Sequence, residues 1–228
     1  MPHYMPQGGP APRQAVDPRR LRERMVESLV REGVSDQAVL AAMRAVPRHL
    51  FVDEALAGHA YDNSSLPIGY GQTISQPLTV ARMTELLRIS PGMRVLEVGT
   101  GSGYQAAVLA QMGCAVYSTE RLPALHARTK AIFQRLGMRR VHLFLRDGTL
   151  GVPEAAPYDR VIVTAGGPSV PEPLLHQLDE KGMMVIPLGK QPRLQQLTLL
   201  YKSDGIVYIK DCGASGFVNL VGEYGWEN

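Results

Sequence analysis

Cysteine is scarce in this 228-residue chain: Cys114 and Cys212 stand far apart and form no C-x-x-C pair. That excludes a disulfide framework and a cysteine-rich zinc site. Cys114, among Met112, Ala115 and Val116, reads as a small buried hydrophobe. The six histidines form no H-x-x-x-H or H-E-x-x-H pattern, so no metal is expected. No run approaches the roughly 18 apolar residues of a membrane span. Residues 1–18 lack the apolar segment of a secretory signal. The expectation is a cytoplasmic protein with no membrane partner. A strong charge of one sign is also missing. The net charge is +3, and residues 1–24 account for it, with five arginines against Asp17 and Glu23. The neutral remainder argues against a nucleic-acid-binding face, which needs clustered Lys and Arg.

What is present is an ordinary globular composition, 45% hydrophobic, of a size for one large domain. Residues 1–17, rich in Pro and Gly, are expected to form a disordered tail. Residues 18–228 are expected to form a single domain. Its parts are N-terminal helices and a substrate loop (18–89), a cofactor-binding core (90–190) and a C-terminal hairpin with a substrate-side segment (191–228). Helices are expected over 18–31 and from an N-cap at Ser35 to 45. Residues 51–70 read as irregular. Ser75 reads as the N-cap of a further helix with Pro77 in its first turn. From residue 94 strands and helices alternate, the pattern of a doubly wound, mostly parallel α/β sheet with helices on both faces. Segments 197–201 and 206–210, split by Ser203-Asp204-Gly205, read as an antiparallel hairpin. Residues 213–228 are expected to return across the top of the sheet.

One stretch organises the rest: Arg94-Val95-Leu96-Glu97-Val98-Gly99-Thr100-Gly101-Ser102-Gly103-Tyr104. It reads as a buried strand entering a glycine turn that opens a helix, the arrangement of a nucleotide-cofactor site. A dinucleotide fingerprint needs G-x-G-x-x-G, whereas Gly99, Gly101 and Gly103 follow G-x-G-x-G. Glu97, before the turn, suits a ligand carrying positive charge or free hydroxyls, such as S-adenosylmethionine. Two more acids fall at strand ends. Glu120, about 20 residues beyond the turn, stands where a carboxylate grips ribose hydroxyls. Asp147, beside Gly148, is placed to accept from an adenine amino group.

The glycine stretch resembles the first motif of class I S-adenosylmethionine-dependent methyltransferases. A narrower match is Ser65-Leu66-Pro67-Ile68-Gly69-Tyr70-Gly71-Gln72-Thr73-Ile74-Ser75-Gln76-Pro77, reinforced by Val46-Pro47-Arg48 and Phe51-Val52-Asp53-Glu54. Together these resemble the protein-L-isoaspartate O-methyltransferase family. The resemblance implies a Rossmann-like methyltransferase sheet with an N-terminal helical extension. It implies Ser75 as the active-site serine, with Thr73, Ile74 and Val218 on the substrate side. It implies Gly99, Thr100, Gly101, Ser102 and Gly103 as the cofactor turn, with Glu97 beside it, Glu120 on the ribose, and Asp147 and Gly148 on the adenine side. The implied donor is S-adenosyl-L-methionine, leaving S-adenosyl-L-homocysteine, and the implied partners are isoaspartyl peptides and proteins, met by a monomer. Two departures stand out. Arg146 precedes Asp147 where the family often has glycine, and Asn219 replaces a proline in Phe217-Val218-Asn219-Leu220.

The chemistry fits the residues. A carboxylate acceptor is already ionised at neutral pH, so no general base is needed and no His-Asp pairing is required. The alternatives are a class I methyltransferase for another acceptor (nucleic acid or a small molecule), an NAD-dependent oxidoreductase, and a cofactor-binding module without catalysis. The glycine spacing disfavours the oxidoreductase. Thr164-Ala165-Gly166-Gly167-Pro168 lacks the Asp/Asn-Pro-Pro-aromatic motif of many nucleic-acid amino-methylating enzymes.

Overall fold

The computed structural model describes residues 17–191 and 194–227. The tail expected over 1–17 lies outside the described residues, apart from Asp17. Asp17 belongs to the first helix: its carboxylate accepts from the Arg19 amide at 2.9 Å and caps α1 (Pro18–Arg31). In α2 (Gln37–Ala45) the cap is Asp36, not the expected Ser35. Asp36 accepts from the Ala38 and Val39 amides, while the Ser35 amide and hydroxyl both donate to Glu85.

The stretch expected to be irregular holds more order than its sequence suggested. Two 3-10 turns, Arg48–Phe51 and Glu54–His59, precede β1 (Leu66–Gly69). That strand pairs antiparallel with β2 (Gln72–Ile74) through a turn in which Tyr70 adopts φ 55°. The hairpin leads directly into α3 (Pro77–Leu86).

The main sheet contains β3 (Arg94–Val98), β4 (Ala115–Glu120), β5 (Val141–Leu145), β6 (Tyr158–Val163), β7 (Leu178–Gln191), β8 (Leu194–Ser203) and β9 (Ile206–Ser215). Their order is β5-β4-β3-β6-β7-β8-β9. Neighbours from β5 to β7 run parallel, and β8 and β9 add antiparallel. The C-terminal hairpin is thus longer than the two five-residue strands expected. Helices α4 (Tyr104–Gln111) and α5 (Pro123–Leu136) make the crossovers on one side of β3, and α6 (Glu172–Gln177) precedes β7.

Alternation along the strands divides the core in two. Val95, Val116, Ile162 and Val185 share one cluster with residues of α1 to α5. Leu96, Val98, Val161, Val163 and Ile186 share another with Leu174 of α6 and Leu220. Both faces of β3 are therefore covered, as a central parallel strand requires. The C-terminal segment returns over the strand ends, as expected. The Gly166 amide donates to the Val218 carbonyl at 2.8 Å, the Leu220 amide donates to the Gly166 carbonyl at 2.8 Å, and the Trp226 indole donates to the same carbonyl at 2.9 Å.

Candidate active site

The chain moves outward from β3 to β5 on one side and from β6 to β7 on the other. The order therefore reverses between β3 and β6, and ligands bind at such a switch point beyond the carboxyl ends of the strands. A cleft of about 870 Å³, open space at its mouth included, lies there. Gly99, Thr100, Gly101 and Ser102 form its floor, with Glu120 from the end of β4, Gly148 after β5 and Thr164 after β6. Thr73, Ile74, Ser75 and Val218 close it on the side of the hairpin and C-terminal segment. Of the expected site residues these are brought together; Glu97, Gly103 and Asp147 do not line the cleft.

Each of the three exceptions has a structural cause. Gly103 has φ 87°, and a Cβ there would stand 2.5 Å from Thr129 Cγ2 and 2.8 Å from Phe133 Cζ. Its duty is to let the turn close against α5, not to face a ligand. The Asp147 carboxylate is engaged within the protein. One oxygen accepts from the Thr149 amide and hydroxyl at 2.9 and 2.8 Å, and the other from the Glu223 amide at 2.8 Å. Through the Glu223 amide it fastens the C-terminal segment over β5. Gly148 remains at the cleft wall, where a Cβ would meet Val98 Cγ1 at 2.6 Å.

Glu97 sits beneath the turn, fully buried. The Ser118 hydroxyl donates to its Oε2 and lies 2.6 Å from the Thr100 hydroxyl, while among the described residues Oε1 has no partner in hydrogen-bond geometry. Burial pushes its carboxyl up to about 8, Glu120 adds to the rise, and the Ser118 hydroxyl and Ala106 amide oppose it. A folded-state value above the ordinary 4.5 means that the native protein keeps a proton which the unfolded chain releases. The resulting stability is complete below about pH 4.5 and is lost as pH rises to about 8. We expect this loss to be on the order of 5 kcal/mol. Urea midpoints measured across that range should fall with pH, and Glu97→Gln should remove most of the slope. Equal slopes in the two proteins would show that Glu97 is ionised when folded.

Glu120 behaves as a cleft acid. Its Oε2 accepts from the Gly101 amide at 2.8 Å and its Oε1 from the Leu122 amide at 2.9 Å. Two amides leave a carboxylate with acceptor sites to spare, directed where a ribose diol can donate.

Ser75 requires a correction. The N-cap of α3 is Gln76, and Asn63 Oδ1, not Ser75, accepts the Leu78 amide at 3.1 Å. Pro77 at the first helical position places the cap one residue later than the sequence reading did. Among the described residues the Ser75 hydroxyl makes no hydrogen bond, so it is free to donate to a ligand. Ser75 also lines a second chamber of about 980 Å³, open space at its mouth included, together with Thr73, Thr164, Val218, Arg82 of α3 and Ser215–Phe217. Thr73, Ser75, Thr164 and Val218 line both chambers.

Two contributors had not been assigned a role. Thr164 Oγ1 donates to the Gly99 carbonyl at 2.7 Å and to the Val98 carbonyl at 3.0 Å, bracing the first glycine. Its place at the end of β6 was the available signal. Arg48 is fully buried. Its Nε donates to the Ala60 carbonyl at 2.6 Å and its Nη2 to the Ser75 carbonyl at 2.8 Å, with the guanidinium 4.7 Å from the Tyr104 ring centroid. Burial lowers its pKa to about 10, against the opposing influence of Tyr104 and Tyr61, so it stays charged at neutral pH.

These features decide the ligand class. A pyrophosphate would sit on the N-terminus of α4, but the Tyr104 amide is taken by Ser102 Oγ at 3.2 Å and Gly103 is packed against α5. What the cleft offers is glycine backbone beside the Glu120 carboxylate, which suits an adenosyl donor with a free ribose diol. Fold and cleft together are those of a class I S-adenosylmethionine-dependent methyltransferase.

Comparison with known proteins narrows the class. The family model for protein-L-isoaspartate(D-aspartate) O-methyltransferase matches residues 19–225. A protein-L-isoaspartate O-methyltransferase of Alkalilimnicola ehrlichii is 53% identical over 205 residues, covering 90% of this chain and 93% of that one. One from Magnetococcus marinus is 50% identical over 209 residues, covering 91% of each chain. A solved protein-L-isoaspartate O-methyltransferase superposes with TM-score 0.82 at 32% identity, over 90% of this chain and 67% of that one. A Plasmodium falciparum structure, solved in complex with S-adenosyl-L-homocysteine, gives TM-score 0.76 at 25% identity, over 88% and 98% of the two chains. The chain belongs to the protein-L-isoaspartate(D-aspartate) O-methyltransferase family.

Proposed function

We infer that the protein transfers a methyl group from S-adenosylmethionine to the free carboxylate of L-isoaspartyl residues in damaged peptides and proteins. The observation that carries the site assignment is the unengaged Ser75 hydroxyl in the wall shared by the cofactor cleft and the second chamber. S-adenosylmethionine supplies, when bound, a methyl activated by a sulfonium. The protein's part is to hold and align the acceptor. Ser75 donates to one oxygen of the acceptor carboxylate and directs the other toward the glycine turn. Thr73, Ile74 and Val218 hold the backbone on either side. The methyl carbon gains a bond to carboxylate oxygen and loses its bond to sulfur, whose electron pair leaves with S-adenosyl-L-homocysteine.

No proton moves, so no general base is needed. Alignment can supply roughly 7–11 kcal/mol in favourable cases. The reaction cancels opposite charges, and shielding both from water helps it further. Among the described residues no three His, Cys, Asp or Glu side chains come together as a metal site. No helix is long and apolar enough to cross a membrane there. A monomeric, cytoplasmic enzyme completes the proposal; two unpaired cysteines suit a reducing compartment.

The test is a pair of peptides identical except for one linkage. Labelled methyl should reach the isoaspartyl peptide and not its normal aspartyl twin. Equal labelling of the two would end the repair reading and leave a less selective carboxyl methyltransferase.

A further inference from the structure

We propose that Arg82 makes the second chamber selective for isoaspartyl peptides that carry an acidic side chain two or three positions from the isoaspartate. The inference rests on the reading of Ser75 as the acceptor-orienting residue.

The chamber is walled by side chains with little power to discriminate. Leu78, Leu197 and Phe217 are apolar, and Ser65, Thr79 and Ser215 are small and hydroxylic. Such a lining accepts varied residues, as a repair enzyme requires. Among the described residues lining it, Arg82 alone carries a charge.

That charge is only partly engaged within the protein: against burial, the Ser35 and Asp36 hydrogen bonds hold the Glu85 carboxyl below its ordinary value, and the Arg82 charge adds a smaller share. Arg82 is exposed, and its Nη2 makes one hydrogen bond, to the Glu32 carbonyl at 3.2 Å. Among the described residues it enters no ion pair. The nearest acid along α3 is Glu85, whose Oε1 is occupied by the Ser35 amide, the Ser35 hydroxyl and the Asp36 amide at 2.8, 3.1 and 2.7 Å. Glu85 is thereby turned to the start of α2. An arginine left with most of its five donors facing water in a binding recess is suited to a carboxylate.

Position along α3 sets the spacing. Ser75, Thr79 and Arg82 follow one another at intervals of four and three residues, and all line the chamber. From Pro77 to Arg82 the helix rises about 7.5 Å, and Ser75 stands two non-helical residues before its start, so Ser75 and Arg82 are separated by roughly 10 Å or somewhat more. An extended peptide covers about 3.4 Å per residue. A peptide whose isoaspartyl carboxylate lies at Ser75 therefore brings a neighbour two or three positions away under the guanidinium.

The test uses the full chain and peptides with one isoaspartate and Glu, Gln or Lys at each of the three positions on either side. At the favoured position kcat/KM should be about threefold to fivefold higher for Glu than for Gln, the range of a solvent-exposed ion pair, and lower for Lys. The preference should shrink as salt is raised. In Arg82→Gln the Glu-to-Gln ratio should approach one, whatever the variant's absolute rate, and in Arg82→Glu it should invert. A wild-type ratio of one at every position would overturn the proposal, as would an unchanged ratio in Arg82→Gln. If no isoaspartyl peptide were methylated, the acceptor reading itself would fail. Methylation without charge preference would remove the Arg82 proposal alone.

Discussion

Ser75→Ala is expected to lower kcat for an isoaspartyl peptide by about 10²-fold, the loss associated with small misplacement of a reacting group, while S-adenosylmethionine affinity changes little. The physical argument constrains how the loss must appear. The acceptor carboxylate loses charge as its oxygen bonds to the methyl, so a hydrogen bond to it is stronger before the transition state than in it. A donor of this kind cannot accelerate the step by stabilising charge, and uniform or ground-state binding does not raise kcat. The contribution of Ser75 is therefore geometric: it fixes which oxygen faces the methyl and at what angle. Initial rates beside calorimetry would separate the possibilities. A raised KM with unchanged kcat would make Ser75 a binding residue only. A collapse of cofactor affinity would place it on the donor instead. The absence of a capping bond from Ser75 sharpens the experiment, because alanine here removes no helix cap and leaves the Asn63 bond to Leu78 in place.

Much of this was legible in the sequence where the determinants are local. The strand at 94–98 and its glycine turn could be read because a buried parallel strand and left-handed turn residues leave marks on adjacent positions. The crossover helices and the hairpin after β7 could be read for the same reason. What could not be read is direction. Glu97, Glu120 and Asp147 all fall at strand ends, yet one lies beneath the turn, one faces the cleft and one ties down the C-terminal segment. Sequence places a side chain at a level of the sheet; tertiary partners decide where it points. Glu97 was within reach, since it follows Val95 by two and shares its buried face. Asp147 was not, because its partner Glu223 lies 76 residues away. The β1–β2 hairpin escaped notice because strands of four and three residues show too little alternation to register.

Arg48→Met is the second substitution expected to have a large effect, on both stability and rate. A buried guanidinium without a carboxylate partner is expensive. Here two carbonyls and the face of Tyr104 compensate it, and among the described residues Nη1 has no partner. Stability alone gives little reason to keep such a group, since apolar replacements of similar volume often serve as well. What Arg48 uniquely does is join three parts of the site: the 3-10 turn before Ala60, the acceptor residue Ser75 and the cofactor-side Tyr104. Methionine keeps the volume but leaves the Ala60 and Ser75 carbonyls unpaired, at about 1–3 kcal/mol each, partly offset by removing the buried charge. A net loss of about 3 kcal/mol would lower Tm by roughly 6–12 °C for a chain of this length. The decisive readout is catalytic. At a temperature where the variant is fully folded, kcat should still fall by about tenfold or more through misplacement of Ser75, and cofactor affinity should fall less. Arg48→Lys should recover the charge but not the rate, because one ammonium does not reproduce a planar fork bridging two carbonyls. Guanidinium added at low concentration to Arg48→Ala should restore part of the lost turnover. If folded Arg48→Met turned over at the wild-type rate, Arg48 would be a structural residue whose contact with Ser75 has no catalytic consequence.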